Sequence, residues 1–258
     1  MTTQNPTVKE VAILATKKAG EILMHHYGSI AVEFKDDNFH VGSMVTKADR
    51  ESEDCIVALI KKNFPEHGIY GEEGTNEKTD AEYVWYIDPL DGTSNFTRNI
   101  PLFGISIGVV HNGEPVCGIL YFPAIDLLVE AEKGTGAFAN GKKISVSQRP
   151  IEQGLYYSGG RYKSDHLNQL QPDIAKAVGL IKIIDASSYA LAQIAMGDAE
   201  VYFLTNVPHD VVAGVCIVRE AGGMVTDGEG GDWHLASEKI LVAPPTMHGE
   251  IVLLLRGR

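Results

Sequence analysis

Cysteine, positive charge and long apolar runs are all scarce in this chain of 258 residues. The three cysteines, Cys55, Cys117 and Cys216, are odd in number and far apart, and none belongs to a Cys-x-x-Cys or Cys/His zinc pattern. That excludes a disulfide-framed secreted domain and leaves three reduced thiols in a reducing cytoplasm. Lysine and arginine total 22 against 34 aspartates and glutamates, a formal charge of −12. With no basic run, direct binding of nucleic acid through its phosphates is disfavoured. A negative surface also repels anionic substrates unless bound cations reverse the sign locally, which makes clustered carboxylates worth finding. No apolar run approaches the length that crosses a bilayer, and the opening MTTQNPTVKE lacks the basic and apolar regions of a secretory signal. The expectation is a soluble cytoplasmic protein with no membrane attachment. At 44% hydrophobic, the chain can bury a core without staples, as one large domain or two merged halves.

Periodicity supplies the elements. Val11, Leu14, Ala15, Ile22 and Leu23 recur at helical spacing, so a helix is expected from about Val8 to Tyr27, closed by Gly28. His25 and His26 in its last turn favour the helix C-terminus, since no partner ligand lies four residues on. Lys35 to Gly42 reads as a polar loop, and Lys47 to Phe64 as a second helix. Strands follow at Tyr83–Ile87, Ile105–Val110, Pro115–Phe122, Leu127–Ala131 and Gly136–Ala139, with hairpin turns at Asn112-Gly113 and Asn140-Gly141. Later helices are expected at about Leu167–Val178, Tyr189–Met196, Val211–Ala221 and Thr246–Leu255. Later strands are expected near Leu180–Ile184, Val201–Leu204, Met224–Thr226 and Ile240–Val242. No repeat or low-complexity tract appears. Mixed sheets with helices between or outside them are the implied architecture.

Acidic residues concentrate in three places. Gly71-Glu72-Glu73-Gly74 follows a strand-like Ile69–Tyr70. Asp88 and Asp91 stand three apart across Pro89-Leu90, at the end of an apolar strand. Asp210 follows Pro208-His209 just before a helix. Each has an ordinary structural reading: a solvated turn, a turn cap or a helix cap. Together they have the oxygen-rich character that hard divalent cations want, magnesium taking a few carboxylates plus water and phosphate. Gly92-Thr93-Ser94-Asn95-Phe96 reads as a helix start, where free amides and the helix dipole could hold a phosphate. A covalent aspartyl-phosphate mechanism needs Asp-x-Asp-Gly-Thr, but here Pro89 occupies the nucleophile position. No Gly-x-Ser-x-Gly elbow occurs either.

The string from Trp85 to Phe96, WYIDPLDGTSNF, resembles the first signature of the inositol monophosphatase family. HDVVAGVCIVREAGG, beginning at His209, looks like its second. Gly71-Glu72-Glu73 and Val45-Thr46-Lys47-Ala48-Asp49 match two shorter elements in the same order. The resemblance implies an α/β fold, a layered αβαβα sandwich forming one catalytic unit of two merged halves. Residues of about 1–150 would bind metal and phosphate, and about 151–258 would supply Asp210 and substrate contacts. It further implies a magnesium-dependent, lithium-sensitive phosphatase, commonly a homodimer, acting on a small phosphorylated metabolite without a covalent intermediate. Two or three magnesium ions are implied. Glu72, Asp88 and the Leu90 carbonyl would hold one, Asp88, Asp91 and Asp210 a second, and Glu72 a third through water, with Glu73 supporting. Thr93, assisted by Asp49 and by Glu72, would activate the attacking water, and the Gly92 and Thr93 amides would bind phosphate. Asp91, Ala186, Phe203, Arg161 and Asp210 are the implied substrate contacts, with Leu204 and the segment Ser158-Gly159-Gly160-Arg161 nearby.

This chain departs from the family in three places. His209 stands where the family has Trp, packing replacement being the simpler reading. Ser43-Met44 replaces an acid before Val45. Phe203, or nearby Leu204, stands where inositol-specific members carry a Glu that accepts from a sugar hydroxyl. Lys35 matches a family lysine near the site. Inositol monophosphate is the default substrate. Histidinol phosphate, fructose 1,6-bisphosphate and 3′-phosphoadenosine phosphates are alternatives, as is a non-catalytic regulator acting by protein–protein contact.

Overall fold

The computed structural model describes residues 6–29, 32–34, 44–158 and 172–256. The Lys35–Ser43 loop, Gly159, Gly160, Arg161 and the start of the helix expected from Leu167 lie outside the described residues. The first helix, α1 (Val8–His26), opens on a capping box: Thr7 Oγ1 accepts from the Glu10 amide while Glu10 accepts from the Thr7 amide. A strand pair, β1 (Val32–Phe34) and β2 (Met44–Thr46), leads into α2 (Lys47–Asn63), whose box is Thr46 with Asp49. Then come β3 (Gly68–Gly71), β4 (Asn76–Glu77), β5 (Tyr83–Asp91), the single-turn helix α3 (Thr93–Thr97) and β6 (Gly104–His111). β7 (Glu114–Phe122), β8 (Leu127–Glu132), β9 (Gly136–Ala139) and β10 (Lys142–Ile144) complete an eight-stranded sheet ordered β10-β9-β8-β7-β6-β5-β3-β4. It is antiparallel except where β3 runs parallel to β5. Both expected hairpin turns form. Asn112 and Gly113, then Asn140 and Gly141, have positive φ at both central positions, the twist two-residue hairpins need.

The second half contributes β11 (Leu155–Ser158), α4 (Pro172–Ala177), β12 (Leu180–Ile183), α5 (Ser187–Ala195), β13 (Val201–Thr205), α6 (Pro208–Glu220), β14 (Met224–Thr226), β15 (Lys239–Ala243) and α7 (Pro245–Arg256). Its five strands are ordered β12-β11-β13-β15-β14, with β11 parallel to both neighbours. α1 and α2 cover one face of the large sheet. α5 and α6 fill the space between the sheets, and α4 and α7 lie outside the small one. This is the αβαβα layering expected. The core follows the layers: Leu23, Ile56 and Trp85 lie under α1 and α2, Leu120, Leu191 and Val212 between the sheets, and Tyr156, Leu241 and Ile251 beyond the second sheet.

Several local outcomes differ from the sequence reading, among them the short strands β1, β2, β4 and β10, which were not expected. β11 was not anticipated: all four of its residues are buried, so no alternation marks it. β5 runs past Ile87 to Asp91, because a bulge at Pro89-Leu90 lets pairing with β6 resume.

Candidate active site

The bulge in β5 shapes the centre of the site. Asp88 pairs with Ser106 and Asp91 with Gly104, so Pro89 and Leu90 together oppose one residue. Leu90 is buried in the first core, its amide donates to Asp88 Oδ1 at 2.9 Å, and its carbonyl accepts from Thr93 Oγ1 at 3.0 Å. Gly92 then turns the chain with φ +85. A Cβ there would stand 2.8 Å from the Leu102 carbonyl, so only glycine fits. Asp88 is 2% exposed. Burial, then the like charges of Glu72, Asp91 and Asp210, hold its carboxyl well above the usual carboxylate range. Residues from three separate stretches of chain therefore meet around Asp88.

Asp49 approaches from α2. Its Oδ2 accepts from the Thr46 amide at 2.8 Å and from Thr46 Oγ1 at 2.5 Å, while Thr93 Oγ1 lies 3.4 Å from Oδ1. Burial pushes its carboxyl up to about 7 against the lowering pull of Thr46, with Glu73 and Glu72 adding to the rise. Glu72 and Glu73 lie in the loop after β3, and the Glu72 amide donates to the Ile87 carbonyl at 3.0 Å.

The facing wall comes from the second half. Asp210, in the first turn of α6, lies 3.0 Å from His209 Nε2 through Oδ1, and the His209 ring stacks 6.1 Å from Tyr70. α6 is seated by two glycines: a Cβ on Gly108 would meet the Ala213 amide at 2.6 Å, and one on Gly118 the Ala213 carbonyl at 2.2 Å. Asp91 reaches across to α5. Its Oδ1 accepts from the Ser187 amide at 3.1 Å, and its Oδ2 from the Ser188 amide at 2.7 Å and from the Ser188 hydroxyl. Burial, then Asp210, raises Asp91 to about 7, while the Ser188 bonds lower it. Asp185 accepts from Ser94 Oγ at 2.5 Å, tying the α3 turn to the strand of chain before α5.

Among the described residues, no three His, Cys, Asp or Glu side chains form a ready-made metal cage. Asp88, Asp91 and Asp210 each rest on a protein partner instead: the Leu90 amide, the α5 start and His209. Unneutralised carboxylates repel one another, which favours such partners. The candidate ligand atoms, carboxylates and the Leu90 carbonyl, are all oxygens, the set that suits a hard divalent cation.

The substrate side needs a correction. Phe203 does not face this site. Its ring lies 3% exposed in the outer core with Val201, Leu241 and Met247. Neighbouring residues on a strand point to opposite faces, and Tyr202 is the one turned inward, its hydroxyl donating to Ser187 Oγ at 2.8 Å. Leu204 is half-buried against the inter-sheet core. Ala186 is buried at the start of α5 beside Gly92, and Arg161 lies outside the described residues. Sequence reasoning missed Asp185, Ser187, Ser188 and Tyr202. The paired serines before an apolar helix were the available signal, as a helix start.

A model of the inositol monophosphatase family matches residues 4–256. The chain is 35% identical over 244 residues to the Thermotoga maritima protein named fructose-1,6-bisphosphatase/inositol-1-monophosphatase, covering 94% of this chain and 93% of that one. It is 32% identical to the Nus factor SuhB of Pasteurella multocida, covering 96% and 95%. Among solved structures, the extragenic suppressor protein suhB from Bartonella henselae superposes with a TM-score of 0.88 at 31% identity, over 96% of this chain and 97% of that one.

Proposed function

The chain belongs to the inositol monophosphatase family of phosphoric monoester hydrolases, and we propose that it is a magnesium-dependent phosphatase whose default substrate is inositol monophosphate. The observation that carries this reading is buried Asp88, with Glu72, Asp91 and Asp210 acting on its charge, five residues ahead of Thr93. A cation is what lets such carboxylates stay ionised together. Glu72, Asp88 and the Leu90 carbonyl would hold one magnesium; Asp88, Asp91 and Asp210 would hold a second, with a third bound more weakly near Glu72. When bound, the metal supplies a water of lowered pKa and neutralises charge on the transferring phosphoryl group.

The chain's own residues do the rest. Thr93 Oγ1, set between the Leu90 carbonyl and Asp49, orients the attacking water and passes its proton toward Asp49. The Gly92 and Thr93 amides receive phosphate oxygens, in a turn whose positive φ and packing against the Leu102 carbonyl require glycine at position 92. The start of α5, backed by buried Tyr202 through its bond to Ser187, forms the wall opposite, against which the alcohol part of the substrate would rest. No glutamate accepts a sugar hydroxyl from β13, which keeps fructose 1,6-bisphosphate, histidinol phosphate and 3′-phosphoadenosine phosphates open as substrates. Lithium sensitivity, a homodimer and a cytoplasmic location complete the proposal.

One relative's name favours a second reading, that of a regulator: a Nus factor. Retention of Glu72, Asp88, Asp91, Thr93 and Asp210 supports catalysis instead. Phosphate release should be measured across a panel of metabolite phosphates, with magnesium and with chelator, and ranked by kcat/KM. Turnover that needs magnesium is expected. No turnover of any phosphomonoester would overturn the enzyme reading.

A further inference from the structure

We infer that Glu53, which lies outside every motif, is a positioning residue for the loop that carries Glu72. Its carboxylate is 3% exposed on α2. Oε2 accepts from the Glu73 amide at 2.8 Å and Oε1 from the Thr75 amide at 3.1 Å, clasping the loop on both sides of Gly74. The same loop is closed below by the Gly71 amide, 2.7 Å from the Thr75 carbonyl. Gly71 makes room for the clasp: a Cβ there would lie 2.6 Å from Cδ and Oε2 of Glu53 and 2.7 Å from Oε1. A buried carboxylate bonded to backbone amides is a strong, charge-assisted arrangement, and removing one partner strands the others.

Glu53 stands four residues after Asp49, so both face the same side of α2, one turn apart. One helix face thereby sets Asp49 against Thr93 and Glu53 against the Glu72 loop. Glu72 is then fixed twice, by its own amide on Ile87 of β5 and by its neighbour's amide on Glu53. Loosening the second attachment frees Glu72 to drift from Asp88.

This inference rests on Glu72 being a metal ligand, as proposed above. The test is calorimetric titration of magnesium into chelator-stripped protein, alongside melting temperature and kcat at saturating magnesium. The variants are Glu53→Gln, Gly71→Ala and Asp54→Asn. Glu53→Gln keeps the shape but presents an amide group to one loop amide, and Gly71→Ala displaces the clasp without touching Glu53. Asp54 is exposed on the same helix, so Asp54→Asn controls for the lost charge. Glu53→Gln and Gly71→Ala should each weaken magnesium binding by about 10- to 100-fold, the range for residues that orient metal ligands, with kcat largely recovered at saturation. Asp54→Asn should bind like wild type. If both clasp variants melt lower yet bind magnesium as tightly as wild type, Glu53 is structural only and the inference fails. If wild type itself binds no magnesium, the ligand reading fails and takes this inference with it.

Discussion

The two walls of the site are built differently. The wall bearing Asp49, Asp88 and Thr93 is held by contacts between residues two or three apart: Thr46 on Asp49, Leu90 on Asp88, Thr93 on the Leu90 carbonyl. The wall bearing Asp210, Ser187 and Ser188 is held by contacts some 90 to 100 residues apart, such as Ser188 on Asp91 and Ser106 on the His209 carbonyl. A short-range wall keeps its shape wherever the chain places it. A long-range wall depends on the seating of α5 and α6 between the sheets, so variants there should disturb substrate and metal binding together with stability.

The largest expected effect tests whether both walls serve one chemistry. If both residues hold the metal as proposed, Asp91→Asn and Asp210→Asn should each lower kcat/KM by on the order of a hundredfold or more, since loss of such a ligand removes several kcal/mol of charge stabilisation. Near-normal activity and magnesium dependence in Asp210→Asn would detach the far wall from catalysis. Phe203→Glu comes next. With the ring buried in the outer core, it should destabilise the protein by about 3 kcal/mol or more in urea unfolding without improving inositol phosphate turnover. Improved turnover would put position 203 back in the pocket.

A pH series examines both walls, through Asp49 on one and Asp91 where it meets the other. The folded values of Asp49 and Asp91 are raised to about 7 from an ordinary 3.8. The folded metal-free protein therefore holds more protons than the unfolded chain between about pH 4 and 7. Stability from these groups is fully present below about pH 4 and is lost progressively as pH rises to about 7, by an amount on the order of a few kcal/mol. Melting of chelator-treated protein should fall over that window, and magnesium should remove the fall. A flat profile without metal would mean the carboxylates do not share one buried pocket. Gly118→Ala tests the seat of α6: the added Cβ meets the Ala213 carbonyl, and a loss of about 1–3 kcal/mol in urea unfolding is expected. The smallest effect is that of Thr46→Ala, about 1 kcal/mol from the lost cap. An unchanged midpoint would show that Asp49 holds its place without Thr46.

Much of this was legible beforehand for reasons that follow the same division. α1, α2, the two Asn-Gly hairpins and the strand ending in Asp88 announce themselves because caps, periodicity and turn residues act over a few positions. β11 escaped notice because burial on both faces erases the alternation that marks a strand. Phe203 was misplaced because counting back from Asp210 fixes a distance along the chain, whereas strand register decides which of Tyr202 and Phe203 faces inward. Glu53 had no signal at all: one glutamate among several on an amphipathic helix becomes special only when the loop after β3 folds against it.

The sequence by itself determined the family, the layered architecture and the set of carboxylates, because these reside in contiguous strings and local periodicities. Only the tertiary structure decided which side chains complete the far wall and what holds the Glu72 loop. Those outcomes depend on sheet register and helix seating, where one residue of slip or one added methyl group reverses the result, and neither is encoded within any single stretch of chain.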